Sequence, residues 1–247
     1  MEDEFSRSRL LLGRKSIDLL KKTRIAVFGV GGVGGFAVEA LARTGVGRFI
    51  LVDNDVVTIT NLNRQIIATH SSIGRKKVEV MRERILDINP LAEIEIYDIF
   101  YLPDMELGFL ERCDYLIDAI DTVAGKLGLA KEASQRGIPM ISSMGAGNKL
   151  DPTRFEVADI YETSVCPLCR AMRHQLRKNG IEKLKVIYSR EPPASQEETL
   201  DCGKLPGRKT TGSVAYIPSV AGLVLASEVI RDLTQEFWPG KQSICES

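Results

Sequence analysis

The sequence predicts an α/β protein: a Rossmann-like, doubly wound, mostly parallel sheet with helices on both faces and a C-terminal strand/helix extension. Three observations lead there. An apolar, β-branched run (Ile25-Ala26-Val27-Phe28) feeds directly into a glycine loop (Gly29 to Gly35) and then into a helical pattern, Phe36 to Arg43. Strand-like and helix-like segments alternate regularly as far as Ser142. The strands are near-continuous apolar runs rather than alternating ones, the mark of strands covered on both faces.

Each element has its origin in local chemistry. Phe5–Leu20 reads as an amphipathic helical lead-in within a segment 1–23. A core, 24–147, then carries strand Arg24–Gly29, helix Val33–Thr44, strand Arg48–Asp53 and helix Lys76–Ile88. Gly74 precedes that helix and Asn89-Pro90 closes it. Strand Glu93–Asp98, short buried strand Asp114–Asp118, helix Thr122–Arg136 (ended by Gly137) and strand Ile138–Ser142 complete the core. Beyond Gly145-Ala146-Gly147 the character changes, and 148–247 reads as an extension. There Phe155–Ile160 alternates like a half-exposed strand, Pro167–Lys178 is helical and Leu184–Ser189 is strand-like. Residues from about 190 to 212, rich in Pro, Gly and charge, predict a mobile loop, and Pro218 opens a last helix reaching about Glu236. Ligand is expected beyond the carboxyl ends of the strands.

Composition narrows the class. The 247 residues suit one large α/β domain with an appended segment, and 44% hydrophobic with 27% charged is ordinary for a globular protein. Thirty-three basic residues balance 33 acidic ones, so no global charge advertises nucleic acid. The acidic start, Met-Glu-Asp-Glu, lacks a signal pattern, and the apolar stretch Val214–Ile230 is too short to span a bilayer. No membrane partner is expected. Five cysteines, an odd number, argue against a disulfide framework and for the cytoplasm.

The glycine loop fits G-x-G-x-x-G at Gly29, Gly31 and Gly34, with Asp53 at the end of the second strand. Glycines there let backbone N–H groups approach a phosphate at a helix N-terminus. This is equally the fingerprint of an NAD-dependent dehydrogenase, in which an acid roughly 20 residues on holds a ribose hydroxyl. Asp53 serves either reading, because ATP also carries a ribose. The residues beyond Asp53 favour a triphosphate: Asp55, then Asn61-Leu62-Asn63-Arg64-Gln65, then Gly74-Arg75-Lys76-Lys77. Arginine and lysine stabilise the charge that builds on departing pyrophosphate. Asp121, in Asp118-Ala119-Ile120-Asp121 at a later strand end, suits Mg²⁺ beside phosphate oxygens.

G-x-G-G-x-G, D-x-D, N-x-x-R-Q, G-x-x-K and D-x-x-D, in this order, resemble the ubiquitin-activating-enzyme-like superfamily. Segments 39–45, Ser142–Gly147 and Asp151–Ile160 resemble its tRNA threonylcarbamoyladenosine dehydratase branch, and the likeness runs from about Phe5 to Leu233. That resemblance implies a single adenylation domain over 1–247 with an ATP site at Gly31, Gly32, Asp53, Asp55, Asn61, Arg64, Gln65, Lys77 and Asp121. Arg64 and Lys77 would take the β- and γ-phosphates and Asp121 the Mg²⁺. Arg7 resembles an arginine that reaches into a partner subunit's site, which implies a homodimer with composite sites. The implied reaction is ATP-dependent cyclisation of a modified tRNA base through an acyl-adenylate. The alternative is adenylation of the C-terminus of a small sulfur-carrier protein, and the resemblance admits a sulfur-transfer protein as a partner.

Two further features bear on the substrate. Between Cys166 and Arg190, seven basic residues face Glu182 alone. Arg170, Arg173 and Arg177 share one helical face, and with Lys178 they form a candidate tRNA surface, which Lys204, Arg208 and Lys209 would extend. Such a patch would equally suit an acidic carrier tail. Cys166-Pro167-Leu168-Cys169 has the spacing of half a zinc site, but a second pair is missing, so zinc is not expected. Cys202, near Lys204, is the candidate for a covalent thiol, and His70 and His174 suggest neither a metal site nor a triad.

Overall fold

The computed structural model describes residues 2–195 and 211–238. Strands β1 (Arg24–Phe28), β2 (Arg48–Val52), β3 (Glu93–Tyr97), β4 (Tyr115–Asp118), β5 (Met140–Ser143), β6 (Phe155–Asp159) and β7 (Lys185–Ser189) form one sheet. Its order is β3-β2-β1-β4-β5-β7-β6, and every pairing is parallel except β6 against β7. The last two strands therefore extend the edge of the same sheet.

Two apolar layers cover the sheet, which is why its central strands read as unbroken hydrophobic runs. Ile25 and Val27 of β1 join helices α1 (Ser6–Leu20), α2 (Gly34–Thr44), α3 (Lys77–Ile88) and α6 (Tyr216–Thr234) on one face. Ala26 and Phe28 join α4 (Val123–Arg136) and α5 (Pro167–Lys178) on the other. Ala37, Val38 and Leu41 of α2 share the first core with Ala221, Leu225 and Val229 of α6. Fully burying side chains of this size is worth roughly 1.5–3 kcal/mol each before the entropy of ordering them is subtracted.

Three predicted boundaries are corrected. The lead-in is not one continuous helix: Gly13 adopts φ 80°, ψ 161° and breaks α1. The segment before the break leaves Leu10 86% exposed. Strand β5 starts at Met140 rather than Ile138, because the Ile138 N–H is spent on the Ala133 carbonyl at the end of α4. Pro139 then has no N–H to give to a ladder. The last helix starts at Tyr216, with Pro218 inside its first turn, where a missing N–H costs nothing. Among the described residues no helix is long and apolar enough to cross a membrane.

Candidate active site

A cavity of about 680 Å³ opens at the carboxyl ends of β1, β2 and β4. Gly31, Gly32, Asp53, Asp55, Asn61, Arg64, Gln65, Lys77 and Asp121, drawn from five stretches of chain, all line it. The loop after β1 turns at Gly29, whose φ of 90° suits glycine, and α2 starts at Gly34. A Cβ on Gly34 would lie 1.9 Å from the Gly29 carbonyl oxygen, so the turn closes only if that position has no side chain.

Asp53 braces this loop. One carboxylate oxygen accepts from the Val30 N–H at 2.7 Å and the other from the Asp55 N–H at 2.9 Å. Burial pushes its carboxyl above the usual range, against the pull of Lys77. Lys77, first residue of α3, has a side chain only 6% exposed, and its ammonium donates to Asp55 at 2.6 Å. Asp55 is 63% exposed on its side chain, so the partner is open to exchange. The Arg64 guanidinium donates to the Thr60 carbonyl at 2.8 Å and to Asn63 Oδ1 at 3.0 Å, and burial lowers its proton affinity. Asn61 Oδ1 accepts from the Thr58 N–H at 3.0 Å and closes the turn that presents Arg64. Gln65 Oε1 is buried with no donor among the described residues. A buried acceptor of this kind fits a ligand that brings an N–H or O–H.

Sequence reasoning missed part of the lining. Phe28, Asn54, Ile99, Phe100, Tyr101 and Thr122 also border the cavity. The signal was the apolar run Ile99-Phe100-Tyr101 shortly after β3, which supplies apolar and aromatic lining. Burial pushes the Tyr101 hydroxyl up to about 12, so it stays protonated. The loop carrying Asp121 rests on a second feature that was missed. Asp118, fully buried, accepts from the Lys126 ammonium at 3.1 Å on both oxygens, from the Ser142 hydroxyl, and from the Ile120 N–H at 3.2 Å. Lys126 also donates to the Ser143 carbonyl at 2.6 Å.

Other candidates fall elsewhere. Arg7 is exposed on α1 and does not line this cavity. The proposed arginine stripe is corrected in one member. Arg173 folds back, donating to the Thr163 carbonyl at 3.0 Å and to the Thr163 hydroxyl, so it ties the β6–α5 connection and is only partly exposed. Arg177 lies over the Tyr161 ring at 5.2 Å, while Arg170 and Lys178 are exposed. Lys185 pairs with Asp232 and Arg190 with Glu156, which trims the local surplus of charge. Cys166 and Cys169 are buried at the start of α5, and no group of three metal-ligating side chains stands among the described residues. Cys202, Cys245, Lys204, Arg208 and Lys209 lie outside the described residues.

The family model described as "ThiF family" matches residues 5–245. The tRNA threonylcarbamoyladenosine dehydratase of Bacillus subtilis is 46% identical over 245 residues, 96% of each chain. That of Escherichia coli is 41% identical over 200 residues, covering 76% of this chain and 73% of the relative. The crystal structure of the E. coli dehydratase in complex with ATP superposes with a TM-score of 0.84 at 33% identity, covering 94% of both chains. With its glycine turn, paired strand-end acids and buried lysine on one fold, the chain belongs to the ThiF family.

Proposed function

We propose that this chain is an ATP-dependent tRNA threonylcarbamoyladenosine dehydratase and acts as one adenylation domain. A carboxylate oxygen of the modified base displaces pyrophosphate from the α-phosphorus of ATP and gives an acyl-adenylate. The carbamoyl group then closes on the activated carbonyl, AMP departs, and the base is left cyclic with one water lost. No protein nucleophile is required; the residues position groups and stabilise charge.

Geometry suggests the roles. The Gly31-Gly32 backbone admits phosphate closely, and each Asp53 oxygen keeps a lone pair for a ribose hydroxyl. Lys77 exchanges Asp55 for phosphate, and Arg64 exchanges its Thr60 and Asn63 acceptors in the same way. Asn61 and Gln65 hold the turn and the cavity wall. Asp121 would hold Mg²⁺, which when bound draws charge from phosphate oxygens. The convergence of these nine residues on one cavity is the observation that carries the reading. A carrier-protein substrate has less support, because the Bacillus subtilis dehydratase is 46% identical over 96% of both chains, whereas the adenylyltransferase and sulfurtransferase of Ogataea parapolymorpha is 32% identical and matched over only 47% of its length.

The tRNA surface we assign to Arg170, Lys178 and the outer edge of Arg177. Arg7, exposed and away from its own cavity, fits a homodimer in which it serves the partner's site, and the odd number of cysteines fits the cytoplasm. Mass spectrometry of tRNA nucleosides after incubation with ATP tests the function. Loss of one water from threonylcarbamoyladenosine is expected, and unchanged nucleosides together with adenylation of a Gly-Gly-ended protein would overturn it. Mixing Arg7→Ala with Arg64→Ala protomers should restore part of the activity, and no recovery would confine Arg7 to its own chain.

A further inference from the structure

Gln65 brings a carboxamide into the wall of the nucleotide cavity and leaves it unused. The residue is 7% exposed, and its Oε1 is buried with no donor among the described residues. Its amide nitrogen likewise takes part in no hydrogen bond among them. The backbone, by contrast, is fixed: the Gln65 N–H donates to the Asn61 carbonyl at 2.9 Å, and the Gln65 carbonyl accepts from the Ala68 N–H at 3.0 Å. A buried polar group without partners costs stability, so its place in the wall asks for a ligand that uses it. On the dehydratase reading above, we propose that Gln65 recognises the carbamoyl group of the modified base. Nε2 donates to the carbamoyl oxygen, and Oε1 accepts from the carbamoyl N–H.

Position and chemistry both favour the second substrate over ATP. Gln65 follows Arg64, and a Cβ on Gly31 would stand 3.7 Å from Gln65 Nε2, so the amide lies at the phosphate end of the cavity. ATP carries its N–H and O–H donors on adenine and ribose, and its triphosphate brings oxygen acceptors alone. A phosphate can therefore take Nε2 but leaves Oε1 unpaired. A carbamoyl group satisfies both atoms at once, as a carboxamide does with the adjacent donor and acceptor on an adenine edge.

The connectivity of the substrate leads to the same place. One carbon separates the carbamoyl N–H from the carboxylate, and that carboxylate has to reach the α-phosphorus. With no bond holding the Gln65 amide, rotation about its terminal torsion turns either polar atom toward the cavity. Held by two hydrogen bonds, the carbamoyl group stays beside the activated carbonyl on which it closes.

In the full-length protein, Gln65→Met keeps most of the bulk and removes both polar atoms. Its kcat/KM for threonylcarbamoyl-tRNA at saturating ATP should fall about 10- to 100-fold, near a power of ten for each lost hydrogen bond. ATP affinity, measured by equilibrium binding without tRNA, should stay within about threefold. Thermal unfolding should come no lower than in the wild type, because an orphaned acceptor is gone, whereas a residue serving only the fold would lower it. A tRNA bearing glycine in place of threonine keeps the carbamoyl group and lacks the hydroxyl, and the variant should lose the same factor on it. A loss of ATP affinity that accounts for the whole fall overturns the assignment. So does a loss confined to the threonyl substrate, which would give Gln65 the hydroxyl instead. A wild type that forms no cyclic base sinks the dehydratase reading itself, while an active wild type beside an equally active variant sinks the role of Gln65 alone.

Discussion

Two aspartate–lysine pairs sit at the ends of the two strands that flank β1 and behave as opposites. In Asp118–Lys126 both side chains are sealed, at 0% and 1% exposure, and the pair is bonded further to the Ile120 N–H, the Ser142 hydroxyl and the Ser143 carbonyl. In Asp55–Lys77 the lysine is buried but the acid is open to water. The first pair has no room to change partners, and the second needs only an incoming anion. Chemistry of the same kind thus makes a strut in one place and a poised ligand in the other. Burial of the acid decides which.

The largest expected effect breaks the strut. Lys126→Met leaves Asp118 buried without its countercharge and should cost about 3–5 kcal/mol in urea unfolding. A loss below about 1 kcal/mol would mean water reaches that pair. Lys77→Ala should do the reverse, lowering pyrophosphate release about 10²–10³-fold while stability falls by no more than about 1 kcal/mol. Equal losses of stability in the two variants would erase the distinction.

A smaller effect separates the arginines of α5 by the same criterion. Arg173→Ala strands the Thr163 carbonyl and should cost about 1–3 kcal/mol of stability, with the salt dependence of tRNA binding unchanged. Arg170→Glu with Lys178→Glu should leave stability within about 0.5 kcal/mol and flatten that salt dependence by about one unit per lost phosphate contact. The opposite pattern would return Arg173 to the RNA surface.

Much of the fold and the site was legible in the sequence because both depend on local order. The apolar runs specify buried parallel strands, and strand-end residues gather wherever such a sheet ends. Arg64, Lys77 and Asp121 could be read as a group for that reason. The arginine stripe misled because spacing reports which helical face a residue occupies, not whether a long side chain folds back onto Thr163. Lys126 did leave a trace. It falls on the face of α4 that also buries Leu129, Ala130 and Ala133, and a lysine there needs a buried partner. The break at Gly13 was hidden because the surrounding pattern satisfies a helix on both sides.

The reversed direction of β6 has an electrical consequence. After β6 runs back to Asp159, the chain climbs again, so that α5 starts beside Gly145, at the pole where α2, α3 and α4 also begin. With α6, whose first turn sets Pro218 against Gly32, five helices thus aim the positive ends of their peptide dipoles at the cavity pole, each worth about half an elementary charge. A molecule whose charges cancel in number is therefore polarised along one axis, and a polyanion approaching it meets the two ends on unequal terms.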